Sequence, residues 1–158
     1  MNIKAIIFDW GGTLFDKNGE ISGAYELLTF CKAKGYRLAV ATITTMETGE
    51  ERINRIKSSR LGKFFEIIKA CHLDPSKVHE VTDDKGRLFD KIVEYFNFPQ
   101  SEIMIIGDRT FRDIRYATLK GHPSIWVKNG KFAHELPNDQ TGQPTYTVKY
   151  LSEIMKII

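Results

Sequence analysis

The 158-residue sequence has no long hydrophobic run and only two cysteines. Its longest apolar runs, such as Ala5 to Phe8 and Ile103 to Ile106, are far shorter than the roughly 20 residues that cross a bilayer. The N-terminus also lacks the apolar stretch of a signal peptide, so we expect a cytoplasmic protein with no membrane partner. Cys31 and Cys71 form neither a disulfide framework nor a metal-binding spacing and are interpreted as small buried side chains.

Motifs that define several other protein classes are also missing. No GxGxxG follows the first apolar run and no GxxxxGK[ST] is present, which argues against dinucleotide and P-loop nucleotide sites. The four histidines have neither HxH nor HExxH spacing. A zinc centre is therefore not expected.

The charge is nearly balanced, with 23 basic and 20 acidic residues and a net charge of +3. Such a mild basic excess helps to attract an anionic substrate without requiring nucleic acid. Its densest part follows Glu50 on a predicted helix and has no interleaved aromatic residues for base stacking. We interpret it as a solvated helix face and expect no nucleic-acid partner; its members are Arg52, Arg55, Lys57, Arg60 and Lys63.

Short β-rich apolar runs alternate with amphipathic stretches, which predicts a parallel sheet with helices on its faces. We expect one three-layer α/β/α, Rossmann-like domain over residues 1–158. The predicted strands are Ile3 to Asp9, Arg37 to Ala41, Phe65 to Lys69, Ile103 to Ile106 and Ser124 to Val127, with Tyr146 to Val148 as a weaker sixth.

Local signals mark the ends of the connecting elements. Ser22 is a candidate N-cap of the first helix, and Gly35 and Gly121 are candidate C-terminal stops. The Asn18-Gly19 pair predicts a hairpin turn, and hence a small flap over the end of strand one. The polar residues 128–144 predict an exposed loop. Predicted helices cover residues 22–34, 86–96, about 111–120 and 151–157.

Polar residues stand where the predicted strands end. Asp9 ends the first strand, Thr42 follows the second, and Asp108 follows the strand IMII, with Asp113 at the start of the next helix. The carboxyl ends of parallel strands meet at one edge of a sheet, where ligands bind. We therefore expect these side chains to converge.

Such a cluster favours a cation and a phosphate-like ligand. Carboxylates from separate strands repel one another unless they are protonated or bridged by a cation, and an oxygen-only ligand set suits Mg²⁺. Gly11 and Gly12 would let backbone amides approach an anion, while Thr42 and Lys85 would add a hydroxyl donor and a positive charge. Each residue also has an ordinary structural interpretation, such as a helix N-terminal charge for Asp113. Their joint occurrence in order favours a site.

The same residues resemble the motifs of the haloacid dehalogenase superfamily. That family has a strand ending in DxDx[TV], a second strand ending in Thr or Ser, a Lys before a later helix, and a strand ending in GDxxxxD or a similar acid pair. The corresponding segments are Asp9 to Thr13 as DWGGT, Thr42 in LAVATIT, Lys85 in DDKGRLFDKI and Gly107 to Asp113 as GDRTFRD, with Lys77 and Lys91 as alternatives to Lys85. The match covers nearly the whole chain.

The resemblance implies a Mg²⁺-dependent hydrolase in which an aspartate attacks phosphorus and water then cleaves the aspartyl-phosphate. It implies three catalytic residues, which are Asp9 as nucleophile and Thr42 and Lys85 as ligands of the phosphoryl group. The implied metal ligands are Asp9, the backbone carbonyl of Gly11, Asp108 and, in support, Asp113. The residues of the cofactor-binding turn would be Gly12 and Thr13.

Gly11 departs from this pattern, because family phosphatases have there a second aspartate that serves as general acid and base. Losing such a group costs roughly 10² to 10⁴ in rate, so we expect weak activity, or activity on leaving groups that need little protonation. Two alternatives stay open: a phosphate- or metal-binding protein that acts through association, and a receiver-like phospho-acceptor domain. Receivers have adjacent acids after strand one, whereas Trp10 follows Asp9.

The intervals that could hold a cap domain are short. Thr13 to Thr42 accommodates the flap and one helix, and Thr42 to Lys85 accommodates one helix, one strand and a loop. An open site favours a large or partner-presented phosphorylated substrate. The run Phe111-Arg112 and the loop from Trp126 to Phe132 are candidate exposed surfaces, and a homo-oligomer stays open.

Overall fold

A computed structural model describes residues 1–158 and has eight strands. They are β1 (Ala5–Phe8), β2 (Phe15–Asp16), β3 (Gly19–Glu20), β4 (Arg37–Thr44), β5 (Ile67–His72), β6 (Ile103–Gly107), β7 (Ser124–Val127) and β8 (Tyr146–Val148). Six form a parallel sheet in the order β5-β4-β1-β6-β7-β8, and β2 and β3 form a separate antiparallel hairpin. The predicted parallel sheet and flap are therefore confirmed.

Helices cover both faces of the sheet. They are α1 (Ala24–Ala33), α2 (Gly49–Ser58), α3 (Asp84–Phe96), α4 (Arg115–Lys120) and α5 (Leu151–Ile154). Phe8 and Ile106 belong to an apolar core with residues of α1, α2 and α5, whereas Ile7 and Ile105 belong to a second core with α3 and α4. Successive strand residues point to opposite faces. The three-layer α/β/α prediction is thus confirmed.

Glycines in left-handed conformations set the ends of two helices. Gly35 (φ +83°) and Gly121 (φ +82°) follow α1 and α4 as expected of C-terminal stops. Ser22 does not cap α1, because Gly23 at φ +88° is the residue that enters the helix and no side chain caps it. The predicted N-cap is wrong for that reason.

The second strand of the sequence prediction ends too early. β4 continues through Thr44 because it pairs with β5 as far as Thr44 and His72. Thr42 consequently lies inside the strand rather than after it. The hairpin turn is also displaced by one residue, with Asp16 paired to Gly19 and Lys17 and Asn18 between them.

The segment 128–144 is not simply an exposed loop, which corrects the prediction. Glu135 is 9% exposed and Thr141 is 1% exposed. The Glu135 carboxylate accepts hydrogen bonds from Arg109 Nε at 3.1 and 3.2 Å and from the Phe111 amide at 3.0 Å. The polar composition of segment 128–144 therefore does not indicate that a buried ion pair between Arg109 and Glu135 fixes it.

The candidate exposed surfaces need the same correction. Arg112 and Trp126 are buried, and Trp126 donates its indole N–H to the Asp108 carbonyl at 3.0 Å. No cap domain interrupts the chain between Thr13 and Lys85, where the flap, α1, β4, α2 and β5 follow one another and the longer connections, residues 59–66 and 73–83, each hold one 3-10 helix. Every helix falls short of the length and apolar content that a bilayer span requires.

Candidate active site

Two adjacent central strands deliver the first two carboxylates. β1 and β6 are paired with Phe8 opposite Ile106, so the residues that follow them emerge at the same edge of the sheet. Asp9 comes directly after β1 and Asp108 directly after β6, and they are 5% and 2% exposed. This is the ligand-binding edge of a parallel α/β sheet.

The third carboxylate comes from a wide helical turn after β6. Asp113 is fully buried in the π-helix Thr110–Ile114, where Arg109 donates its backbone N–H to Asp113 Oδ2 at 3.1 Å. The turn packs so tightly that a Cβ at Gly107 would lie 2.7 Å from the Asp113 Cβ. Gly107 is therefore required for the third carboxylate to reach the site.

Lys85 lies between two of these carboxylates. Its Nζ donates to Asp9 Oδ1 at 2.7 Å and forms an ion pair with Asp113 Oδ1 at 2.5 Å. The side chains of Lys85, Asp9 and Asp113 are 3%, 7% and 0% exposed. The alternatives Lys77 and Lys91 are exposed. Among the three candidate lysines, Lys85 is the one in the site.

Burial and charge push the pKa values of these groups apart. Burial opposes ionisation of Asp9, but Lys85 and hydrogen bonds outweigh it, so the pKa of Asp9 lies below its usual value. Burial, and then repulsion from Asp9, raise the pKa of Asp108 well above its usual range. Burial raises the pKa of Asp113 to about 6 against the attraction of Lys85. Burial disfavours the charged form of Lys85, yet Asp113 and Asp9 hold its pKa above the usual value.

The three carboxylates fit a divalent cation. Oxygens of Asp9, Asp108 and Asp113 lie within 4.8 Å of one another. Gly12 completes the cradle, because at φ +82° its missing side chain leaves room for the Asp108 carboxylate, whose carbon would lie 3.1 Å from a Cβ. A compact set of hard oxygen ligands suits Mg²⁺.

The two candidate threonines differ in their contacts. Thr13 is fully buried and donates its hydroxyl to Asp9 Oδ2 at 3.0 Å, with Asp108 Oδ1 at 3.5 Å. Thr42 is 1% exposed, and its hydroxyl donates only one hydrogen bond, to the neighbouring Ile43 carbonyl at 3.4 Å. Thr42 therefore makes no hydrogen bond to the carboxylates.

Two arginines that the sequence reasoning missed reach the same site. A small cavity of about 90 Å³ is lined by Asp9, Gly11, Ile43, Lys85, Asp108, Arg109, Arg112 and Phe132. Arg109 is held by Glu135, and Arg112 bonds the Thr82 hydroxyl and the backbone carbonyls of Lys77 and Val78. Both arginines lie within the segment GDRTFRD, which was the available signal.

A third arginine reaches the site from α2. A Cβ at Gly11 would lie 3.8 Å from Arg52 Nη1, so the guanidinium borders the space left by the missing side chain. Arg52 is half-buried, which corrects the interpretation of this residue as part of a solvated helix face. No local pattern in the sequence indicates this contact, because the two residues are far apart in the chain.

Comparisons with known proteins agree with this architecture. A family model described as HAD-hydrolase-like matches residues 85–154. A glyceraldehyde 3-phosphate phosphatase of Pyrococcus furiosus is 27% identical over 156 residues, or 99% of this chain and 61% of that protein. A protein of the same name from Pyrococcus abyssi is 29% identical over 129 residues, or 82% of this chain and 51% of its own length. The chain thus spans less than two thirds of these relatives.

Solved structures extend the likeness in fold. A HAD phosphatase from Thermococcus onnurineus has a TM-score of 0.75 at 13% identity, covering 98% of this chain and 97% of its own. A haloacid dehalogenase-like family hydrolase from Streptococcus pneumoniae has a TM-score of 0.70 at 15% identity, with 99% and 98% covered. The fold is that of Rossmann-like α/β proteins with a central parallel sheet. Within that class, the chain resembles proteins of the haloacid dehalogenase type, in fold over nearly its whole length and in sequence over residues 85–154.

Proposed function

We propose that this protein is a Mg²⁺-dependent phosphohydrolase that acts through an aspartyl-phosphate. The observation that carries the proposal is the placement of Asp9, whose buried carboxylate accepts a hydrogen bond from Lys85 Nζ at 2.7 Å and lies beside Asp108 and Asp113. An ionised carboxylate beside two further acids is a nucleophile positioned at a cation site. The proposal takes residues 1–158 as one domain that carries this site.

Each step has a candidate residue in the proposed reaction. Asp9 attacks phosphorus and forms an acyl phosphate as the bond to the leaving oxygen breaks, and water then cleaves the acyl phosphate to release inorganic phosphate. Lys85 and Thr42 hold the phosphoryl oxygens, and the buried carboxylates keep Lys85 charged. Mg²⁺ would be held by Asp9, the Gly11 carbonyl and Asp108, with Asp113 in support, and would neutralise charge on the phosphoryl group.

Gly11 and the openness of the site limit the substrate. With no acid at position 11, the favoured substrates are acyl and aryl phosphates, whose leaving groups depart without a proton. An open cleft of about 580 Å³ beside Gly12 and Asp108 supports a large or partner-presented phosphorylated substrate. The relatives named as glyceraldehyde 3-phosphate phosphatases support a phosphate monoester as the substrate class.

A phosphatase assay tests the proposal. Purified protein is incubated with Mg²⁺ and a panel of acyl, aryl and alkyl phosphates, beside Asp9→Asn and a control, Asp139→Asn, which removes an exposed carboxylate in the loop. We expect Mg²⁺-dependent turnover, at an unchanged rate in Asp139→Asn. In Asp9→Asn the rate should fall at least about 10³-fold, because the nucleophile is removed. Equal rates in Asp9→Asn and wild type would contradict the proposal.

Gly11 also favours a second candidate function, in which the site binds Mg²⁺ and a phosphate group without turnover. The missing proton-transfer group is the observation behind it. Under this alternative, Mg²⁺ and phosphate raise the melting temperature through Asp108, but no ester of the panel is hydrolysed. The same assay, run beside thermal unfolding, separates the two functions.

A further inference from the structure

The space beside Gly11 is bordered by a positive charge. In the family pattern this position holds the acid that serves the leaving group. Here the side chain is missing, and Arg52 Nη1 would lie 3.8 Å from a Cβ at Gly11. The guanidinium therefore borders the position that the family pattern gives to the acid serving the leaving group.

Arg52 is held in this place by two contacts. Its Nε donates to Glu47 Oε1 at 2.6 Å and its Nη2 donates to Thr44 Oγ1 at 3.0 Å. Nη1 has no hydrogen-bond partner in the protein, and the side chain is 16% exposed. The helix that carries it begins with a capping box between Thr48 and Glu51, which fixes its first turn.

The surrounding cleft is open and carries further cations. Its volume is about 710 Å³, and Lys17, Arg55 and Lys131 line it together with Gly11 and Arg52. Of the two acids in its lining, Glu47 is already paired with Arg52 and Arg55. The cleft therefore has an excess of positive charge at its walls.

A guanidinium cannot act as the missing acid. Arginine stays protonated throughout the working pH range, but its planar set of N–H donors matches carboxylate and phosphate oxygens. A fixed, partly buried guanidinium with free N–H groups is thus suited to recognise an oxyanion.

We propose that Arg52 is the receptor for a second anionic group, a carboxylate or a phosphate, on the leaving-group side of the substrate. The inference rests on the proposed function, since it defines the leaving-group side by attack of Asp9 on phosphorus. It names a substrate class: phosphate esters or acyl phosphates whose leaving group is itself an anion.

A binding experiment tests the inference without turnover. Wild-type protein with Mg²⁺ is titrated calorimetrically with propylphosphonate and with its near-isosteric analogue 3-phosphonopropionate, which adds a carboxylate; methylenediphosphonate supplies the phosphate arm. We expect at least one of the two dianion analogues to bind about tenfold more tightly than propylphosphonate, because a charge-assisted hydrogen bond is added. The arm that shows the gain identifies the anion.

Variants assign the gain to Arg52. Arg52→Gln should abolish the preference, Arg52→Lys should keep a part of it, and Lys57→Gln, which removes an exposed charge from the same helix, should leave it unchanged. If Arg52→Gln does not fold, the comparison of wild type with Arg52→Lys decides. Equal affinities of wild type for all three ligands, or equal losses in Arg52→Gln and Lys57→Gln, would overturn the inference.

Kinetics separate this inference from the proposed function. Phenyl phosphate and 3-carboxyphenyl phosphate differ in a single carboxylate, and we expect a higher kcat/KM for the latter in wild type but not in Arg52→Gln. If both esters are turned over but Arg52 causes no preference for the anionic ligands, the inference is wrong and the proposed phosphohydrolase function stands. The anionic ligands are 3-carboxyphenyl phosphate, 3-phosphonopropionate and methylenediphosphonate. Absence of all turnover defeats the phosphohydrolase, and the calorimetric comparison then still decides the role of Arg52.

Discussion

At the scale of single residues, position 11 decides how the candidate site can work. The haloacid dehalogenase pattern has a proton-transfer group there, glycine supplies none, and Arg52 Nη1 would lie 3.8 Å from a Cβ at this position. The backbone of Gly11 is not in the left-handed region, so a side chain is allowed there. The backbone conformation at position 11 therefore does not require glycine.

This leads to a prediction for Gly11→Asp. An aspartate at this position would meet the Arg52 guanidinium, which lowers the pKa of a neighbouring carboxyl by roughly 1 to 3 units and keeps it ionised. We expect the single variant to raise kcat for a neutral alkyl phosphate by less than about tenfold, since an ionised carboxylate cannot donate a proton. Gly11→Asp combined with Arg52→Gln should give a larger gain, towards the 10² that a general acid supplies.

Steady-state rates with ethyl phosphate in wild type, both single variants and the double variant form a complete cycle. Arg52→Gln alone controls for the loss of the arginine. A gain from Gly11→Asp that is as large with Arg52 as without it would show that the guanidinium does not hold the new carboxylate ionised.

At the scale of elements, the strands were more predictable than the turns that follow them. The apolar runs of β1 and β6 identified the central strands, and their order placed Asp9 and Asp108 together. The extension of β4 through Thr42 was missed, because that part of the strand is stabilised by pairing with β5, which local sequence does not record. The π-helical turn that brings in Asp113 has no local sequence signature either.

The turn after α4 carries a pH-sensitive element that lies outside the candidate site. His122 is 6% exposed, its Nδ1 lies 3.0 Å from the Ile103 carbonyl, and its buried Nε2 has no partner. Burial lowers the pKa of His122 below the ordinary value of 6.5.

We therefore predict that His122 makes the protein less stable in mild acid. The unfolded chain binds a proton at the ordinary pKa, whereas the folded chain does so only at lower pH. The contribution of neutral His122 is complete above about 6.5 and is lost as the pH falls through the folded-state pKa. Urea unfolding of wild type and His122→Gln at several pH values measures this contribution to the free energy of unfolding. The free energy of unfolding should fall more steeply in wild type below pH 6.5, and parallel curves would refute the prediction.

At the scale of the whole molecule, the sheet gathers residues that are distant in sequence around one edge. The motif residues Asp9, Lys85, Asp108 and Asp113 were identified from sequence because each stands at a recognisable place in an element. Arg52 and the Arg109–Glu135 pair were not, because their roles depend on contacts between segments that are far apart in the sequence. The sequence thus indicated the acids and the lysine of the site, whereas the basic side chains that line the cleft were found only from the structure.

The central claim is that Asp9 becomes phosphorylated, and trapping that species tests it most directly. Protein with Mg²⁺ and acetyl phosphate is quenched in acid and analysed by intact-protein and peptide mass spectrometry, beside Asp9→Asn and Asp139→Asn. We predict one phosphoryl group per chain, located on Asp9, present in Asp139→Asn and absent in Asp9→Asn. Phosphoryl transfer to Asp9→Asn at the wild-type level, or turnover of acetyl phosphate with no phosphorylated Asp9, would contradict the account.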